Sequence, residues 1–140
     1  MLVGSYHLLL VGLIKTKFKI MSTYKDLFAF RKAFELAMKI FEISKRFPKE
    51  ETYSLTDQIR RSSRSVCTNF AEAFRRKKYP AHFLSKLADS DAENAETDVW
   101  LDFARECKYI TDAEYKELKA DQDGVGRLLG DIIKNLQKYM

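Results

Sequence analysis

The stretch Leu55–Lys78, LTDQIRRSSRSVCTNFAEAFRRKK, sets the terms for the rest of the chain. Its large apolar residues Leu55, Ile59, Val66, Phe70 and Phe74 fall at helical spacing, whereas a strand would alternate at every second residue. The pattern predicts one long helix with one buried face. A second stripe, Gln58, Ser62, Ser65, Asn69 and Glu72, follows the same period and lies nearly in line along the helix. Arg60, Arg61 and Arg64 crowd the first half, and Arg75, Arg76, Lys77 and Lys78 close the last turn.

Three further helices follow from the same reading. The first runs from about Lys25 to Arg46, with Leu27, Phe30, Phe34, Met38 and Phe41 on its apolar face and Ala33, Ala37 and Ile40 flanking them. Pro48 disfavours helical geometry at Phe47 and ends it. The third covers about Ala81–Lys108, with Pro80 suited to its first turn. Phe83, Leu84, Leu87, Ala88, Ala92, Ala95, Val99 and Phe103 form its expected buried face, and Asp89, Asp91, Glu93, Glu96, Asp98 and Asp102 its acidic one. The fourth opens on Thr111-Asp112-Ala113-Glu114, a capping box, and continues through Tyr115, Leu118, Val125, Leu128, Leu129, Ile132, Ile133 and Leu136. Ser54 or Thr52 is the expected cap of helix two. Gly124 and Gly126 predict a bend or a close helix contact. Four such helices, each about 30–40 Å long and joined by short loops, predict an all-α, up-and-down antiparallel four-helix bundle. Phe28, Tyr53, Tyr79, Trp100, Tyr109 and Tyr139 remain after the seams are filled, and some of them are candidates for a subunit interface.

Residues 1–20 do not share this pattern. Leu8–Ile14 is too short to span a bilayer, and Lys15, Lys17 and Lys19 follow the apolar run, where a secretory signal places its charge before it. The expectation is an extension upstream of a natural start at Met21, with the bundle formed by residues 21–140.

Charge is uneven. Residues 21–49 hold seven cations against three carboxylates, residues 50–79 seven against four, and residues 80–108 three against seven. The net charge of +5 suits nucleic acid, an anionic surface or an acidic protein. Cys67 and Cys107 are too few for a disulfide framework and form no C-x-x-C pair, which fits a reducing cytosol.

Catalytic chemistry finds no foothold. A di-iron bundle needs Glu-x-x-His on two helices, and Glu93-Asn94-Ala95-Glu96 has Glu where His belongs. His7 and His82 are the only histidines, and Gly124-Val125-Gly126 lacks the strand and third glycine of a dinucleotide site. No catalytic residue, metal, cofactor or small-molecule substrate is expected. The polar stripe reads either as a buried network that fixes helix register, with Asn69 and Glu72 paired to neighbours, or as the lining of a groove. The first is favoured because buried polar groups must be satisfied. The seven cations of helix two read either as partners for carboxylates of helix three or another subunit, or as phosphate contacts.

Phe47-Pro48-Lys49-Glu50-Glu51, Leu55-Thr56-Asp57-Gln58-Ile59-Arg60-Arg61-Ser62, Ser65-Val66, Asn69-Phe70-Ala71-Glu72, the run from Phe83-Leu84 to Glu93, and Glu96-Thr97 to Trp100-Leu101 occur here in order. In these the chain, from about Tyr24 onward, resembles the family of four-helix-bundle proteins encoded in intervening sequences of bacterial 23S ribosomal RNA genes. The resemblance implies a cytosolic bundle assembled as a ring-like homopentamer. It also implies kinship with the accessory proteins of diversity-generating retroelements, which bind nucleic acid and a reverse transcriptase. The family usually has Gly where Ala73 and Asp89 stand. The resulting expectation is a non-enzymatic oligomer that binds RNA or other nucleic acid through Arg60, Arg61, Arg64, Arg75, Arg76, Lys77 and Lys78. The alternative is a homo-oligomeric interaction scaffold without nucleic acid.

Overall fold

A computed structural model describes residues 23–140, so the expected extension 1–20 lies outside the described residues. Four helices form: α1 (Phe28–Ser44), α2 (Asp57–Arg75), α3 (Pro80–Glu106) and α4 (Asp112–Lys134), with no strand among the described residues. Helices adjacent in sequence pack together and α4 closes on α1, so the four stand at the corners of a square in chain order. The loops 76–79 and 107–111 are too short to cross the bundle, which makes neighbours antiparallel. The fold is the expected all-α four-helix bundle.

Several boundaries differ from the expectation. The chain enters through a 3-10 turn, Tyr24–Asp26, and Leu27 is extended (φ −71°, ψ 138°), so α1 begins later than Lys25. Neither Ser54 nor Thr52 caps α2. A single π turn, Thr52–Thr56, feeds it directly, and the Thr52 hydroxyl instead donates to Lys49 O. Because the last turn of helix already supplies carbonyl partners, no side-chain cap is required there. Helix α2 ends at Arg75, short of Lys78. The Thr111–Glu114 capping box forms in full, with Glu114 N–H donating to Thr111 Oγ1 (3.1 Å) and Thr111 N–H to Glu114 Oε1 (2.9 Å). Helix α3 ends with Lys108 at φ 62°. The N–H groups of Lys108 and Tyr109 donate to Arg105 O and Ala104 O, a Schellman closure built on a residue with a Cβ.

The buried faces of two helices are rotated from the expected ones. In α1 the core residues are Ala29, Ala33, Leu36, Ala37 and Ile40, while Phe34 and Met38 face solvent. In α3 the core face is Phe83, Leu87, Ser90, Asn94, Thr97, Leu101 and Ala104. Ala88, Ala92 and Ala95 are exposed, as are Leu84 (41%), Val99 (49%) and Phe103 (53%). Three polar residues can occupy the centre of that face because each is bonded. Ser90 Oγ donates to Val66 O (2.7 Å) and Thr97 Oγ1 to Glu93 O (2.9 Å). Asn94 Nδ2 donates to Gln122 O (3.1 Å) while Gln122 Nε2 donates to Asn94 O (3.2 Å), a reciprocal clasp between α3 and α4. Gly126 permits that approach: a Cβ there would lie 3.3 Å from Asn94 Nδ2. Gly124 meets no such neighbour closer than 3.9 Å.

At the end of the bundle where α2 closes, an aromatic cluster fills the core. Phe70 packs between Phe30 (5.9 Å between centroids) and Phe74 (4.8 Å), and Phe74 meets Phe83 (5.0 Å) and Tyr139 (6.3 Å). These rings anchor the last turn of α2, from which the second basic cluster, Arg75 to Lys78, leads into the following loop. Of the six aromatics left over in the sequence, Phe28, Tyr53 and Tyr79 are exposed, whereas Trp100, Tyr109 and Tyr139 pack against the core.

Candidate nucleic-acid interface

The buried side of α2 is Ile59, Ser62, Ser63, Val66, Cys67, Phe70 and Ala73. The helix period therefore turns Arg61, Arg64, Thr68 and Arg75 outward. Arg64 and Arg75 are separated by about three turns, so they point to the same side about 16 Å apart along the axis. The outer face of α2 is thus a straight track with a cation cluster at each end.

Arg60, Arg61 and Arg64 share an open groove of about 480 Å³ with Tyr53, Asp57 and the hydroxyl residues Thr52, Thr56, Ser65 and Thr68. Two of the guanidiniums are pre-positioned by α1. Arg60 Nε donates to Ser44 Oγ (2.7 Å) and its guanidinium lies over the Phe41 ring at 5.0 Å, with Arg64 over the same ring at 5.5 Å. Such stacking holds the planar fork while leaving its other N–H donors available. Arg61 is exposed and lies near the carboxyl of Glu93, which is held above its usual range by burial first and by Glu96 second, against the opposing pull of Arg61.

Arg75, Arg76, Lys77 and Lys78 are all exposed at the far end, where the helix terminus also favours positive charge. Among the described residues, none of the seven cations comes within ion-pair distance of a carboxylate. Other cations do pair: Lys39 with Glu117 and Asp121, Arg46 with Glu114, Lys86 with Glu72, and Lys119 with Asp98.

The polar stripe of α2 divides. Ser62 is fully buried and bonds Thr97 Oγ1 across the α2–α3 interface (2.9 Å). Glu72 is exposed and pairs with Lys86 (2.9 Å). Ser65 lines the arginine groove. Asn69 turns back to its own helix, donating to Ser65 O (2.9 Å) rather than to a neighbour. Gln58 is half-buried. The buried polar residues that bond across helices are largely others: Ser90, Asn94, Thr97 and Gln122. The fourfold and threefold steps of 83, 87, 90, 94, 97, 101 and 104 were the available signal, hidden because its middle members are polar.

Both cysteines are free; Cys67 is buried, which pushes its thiol up to about 11, and Cys107 is exposed. Among the described residues no three His, Cys, Asp or Glu side chains are gathered for a metal, and no helix is long and apolar enough to cross a membrane.

A crystal structure of a protein of unknown function from the S23 ribosomal protein family of Bacteroides thetaiotaomicron is similar to this chain. Identity is 31%, over 76% of this chain and 95% of that one, with a TM-score of 0.69. No curated protein matches the sequence. The family model described as 23S rRNA-intervening sequence protein matches residues 25–131, the span that carries all four helices almost to the end of α4. On the match and the shared fold together, the chain belongs to the 23S rRNA-intervening sequence protein family.

Proposed function

We propose that the protein is a non-enzymatic, oligomeric bundle of the reducing cytosol that holds RNA on the outer face of α2. The observation that carries this reading is the gathering of seven cations, Arg60, Arg61, Arg64, Arg75, Arg76, Lys77 and Lys78, at the two ends of one helix, all without carboxylate partners among the described residues, whereas Lys39, Arg46, Lys86 and Arg105 on the other helices and loops are paired. A surface kept electropositive in this way attracts phosphate, and each neutralised phosphate releases counterion. The test is fluorescence anisotropy of a labelled structured RNA across a salt series. Binding that weakens linearly in log–log form supports the reading. Absence of binding at low salt, or affinity indifferent to salt, refutes it.

Self-association is favoured by a separate observation. Ala88, Ala92, Ala95, Leu84, Val99 and Phe103 form an exposed apolar ridge along α3, unpartnered among the described residues. Across the bundle, Phe34 and Met38 face a groove of about 770 Å³ between α1 and α4. Helix α3 carries seven carboxylates against two cations, whereas α1 and the turn after it carry five cations against two carboxylates. A ridge of one copy against the α1 face of the next buries apolar surface with opposite net charge, and repeats head to tail, as a ring requires. The resemblance to ring-like homopentamers points the same way. Val99→Asp lowers the mass measured by light scattering on this account; an unchanged mass contradicts it. Charge reversal at Arg60 and Arg61 leaves the mass unchanged, and loss of the oligomer there instead supports the scaffold alternative.

A further inference from the structure

We propose that the α2 face takes RNA as a single strand, one unpaired base stacking on Tyr53 and another on Tyr79; this rests on the RNA reading above. Each cation cluster carries one protruding tyrosine. Tyr53 is 93% exposed and lines the groove of Arg60, Arg61 and Arg64. Tyr79 is 63% exposed and lines a cavity of about 220 Å³ with Arg76 and His82, beside Lys77 and Lys78.

Tyr79 is held in place. Preceding Pro80, it is confined to an extended backbone (φ −115°, ψ 95°). Its N–H donates to Arg76 O and its carbonyl accepts from Phe83 N–H, both at 2.9 Å. Its ring stands nearly perpendicular to that of His82, at 84° and 6.1 Å, so a base stacked on one ring presents its edge to the other. Tyr53 projects from the π turn that feeds α2. In a duplex the base faces are already covered by stacking, and cations alone suffice to bind it. Aromatic faces set among cations select unpaired bases, because only those offer a free π-face. Between the two rings a strand would follow Arg64, Thr68 and Arg75, about 28 Å for the length of α2.

The experiment compares a labelled oligouridylate with a blunt RNA duplex, by anisotropy, on the parent protein and on Tyr53→Ala, Tyr79→Ala and the matching Phe variants. Each Ala variant is expected to lose about 5- to 150-fold in single-strand affinity, the effect of removing one stacked base. Duplex affinity and the salt slope stay at parental values, since no charge changes, and the Phe variants retain binding. If parent and Ala variants bind the single strand equally, or if the Ala variants lose strand and duplex alike, the inference falls while the RNA reading stands. If the parent binds neither RNA, the RNA reading itself falls and this inference with it.

Discussion

Replacing Ser62 with Ala tests how α2 is held to α3. Thr97 Oγ1 gives its own hydrogen to Glu93 O at 2.9 Å, so in the 2.9 Å contact between the two hydroxyls Ser62 is the donor. Both side chains are fully buried. In Ser62→Ala the Thr97 donor stays satisfied and only an acceptor site is lost, at a cost of about 1 kcal/mol. Thr97→Val strands the Ser62 hydroxyl, whose alternative acceptor, Ile59 O, is 3.4 Å away; leaving that donor poorly satisfied costs about 1–2 kcal/mol. The double variant leaves neither group orphaned, so its loss falls short of the sum by about 0.5–1 kcal/mol. Urea unfolding followed by circular dichroism reads all three, with an unchanged slope in urea confirming that only stability has moved. A Ser62→Ala variant as stable as the parent, or a strictly additive double variant, would show that these hydroxyls do not couple the helices.

Three further predictions concern the C-terminal end of α3 and the bundle's pH response. Lys108→Gly relieves a left-handed residue that carries a Cβ, and gains about 0.5–1 kcal/mol after the added flexibility of the unfolded chain is counted, read as a higher urea midpoint. Glu93 keeps in the native state a proton that the unfolded chain has lost, so stability falls as pH rises from the ordinary carboxylate value of 4.5 through the raised one. Glu93→Gln removes that slope, measured as urea midpoints across the window. Glu114 acts in the opposite sense. Its carboxyl is lowered first by Arg46, then by the Thr111 backbone, so its stabilisation is present above 4.5 and is lost as pH falls through the depressed value. A Glu93→Gln variant whose midpoints track the parent at every pH would contradict the assignment.

The number of helices, their order and the Thr111 box were legible because helical period, Pro48, Pro80 and the box are local signals. The rotation of two helices was not. In α3 the outward face holds Leu84, Ala88, Ala92, Ala95, Val99 and Phe103 and is as apolar as the inward one. The inward face hides Ser90, Asn94 and Thr97, whose bonds to Val66 O, Gln122 O and Glu93 O make them tolerable at the centre of a core. In α1 small residues, Ala29, Ala33 and Ala37, sit inside because close helix approach favours them, pushing Phe34 and Met38 outward. The cations of α2 were visible as a run. That they share one outer track, with Phe41 seating Arg60 and Arg64, depends on residues distant in sequence and could only emerge from the packed bundle.

The most direct measurement is the salt dependence of RNA affinity for the parent and for the triple variant Arg61→Gln, Arg64→Gln, Arg75→Gln, three exposed cations without a carboxylate partner among the described residues. For a single strand the log–log slope is expected to become shallower by about 0.7 per phosphate contact removed, about 2 in all. A slope identical in parent and variant would show that phosphate does not bind along α2.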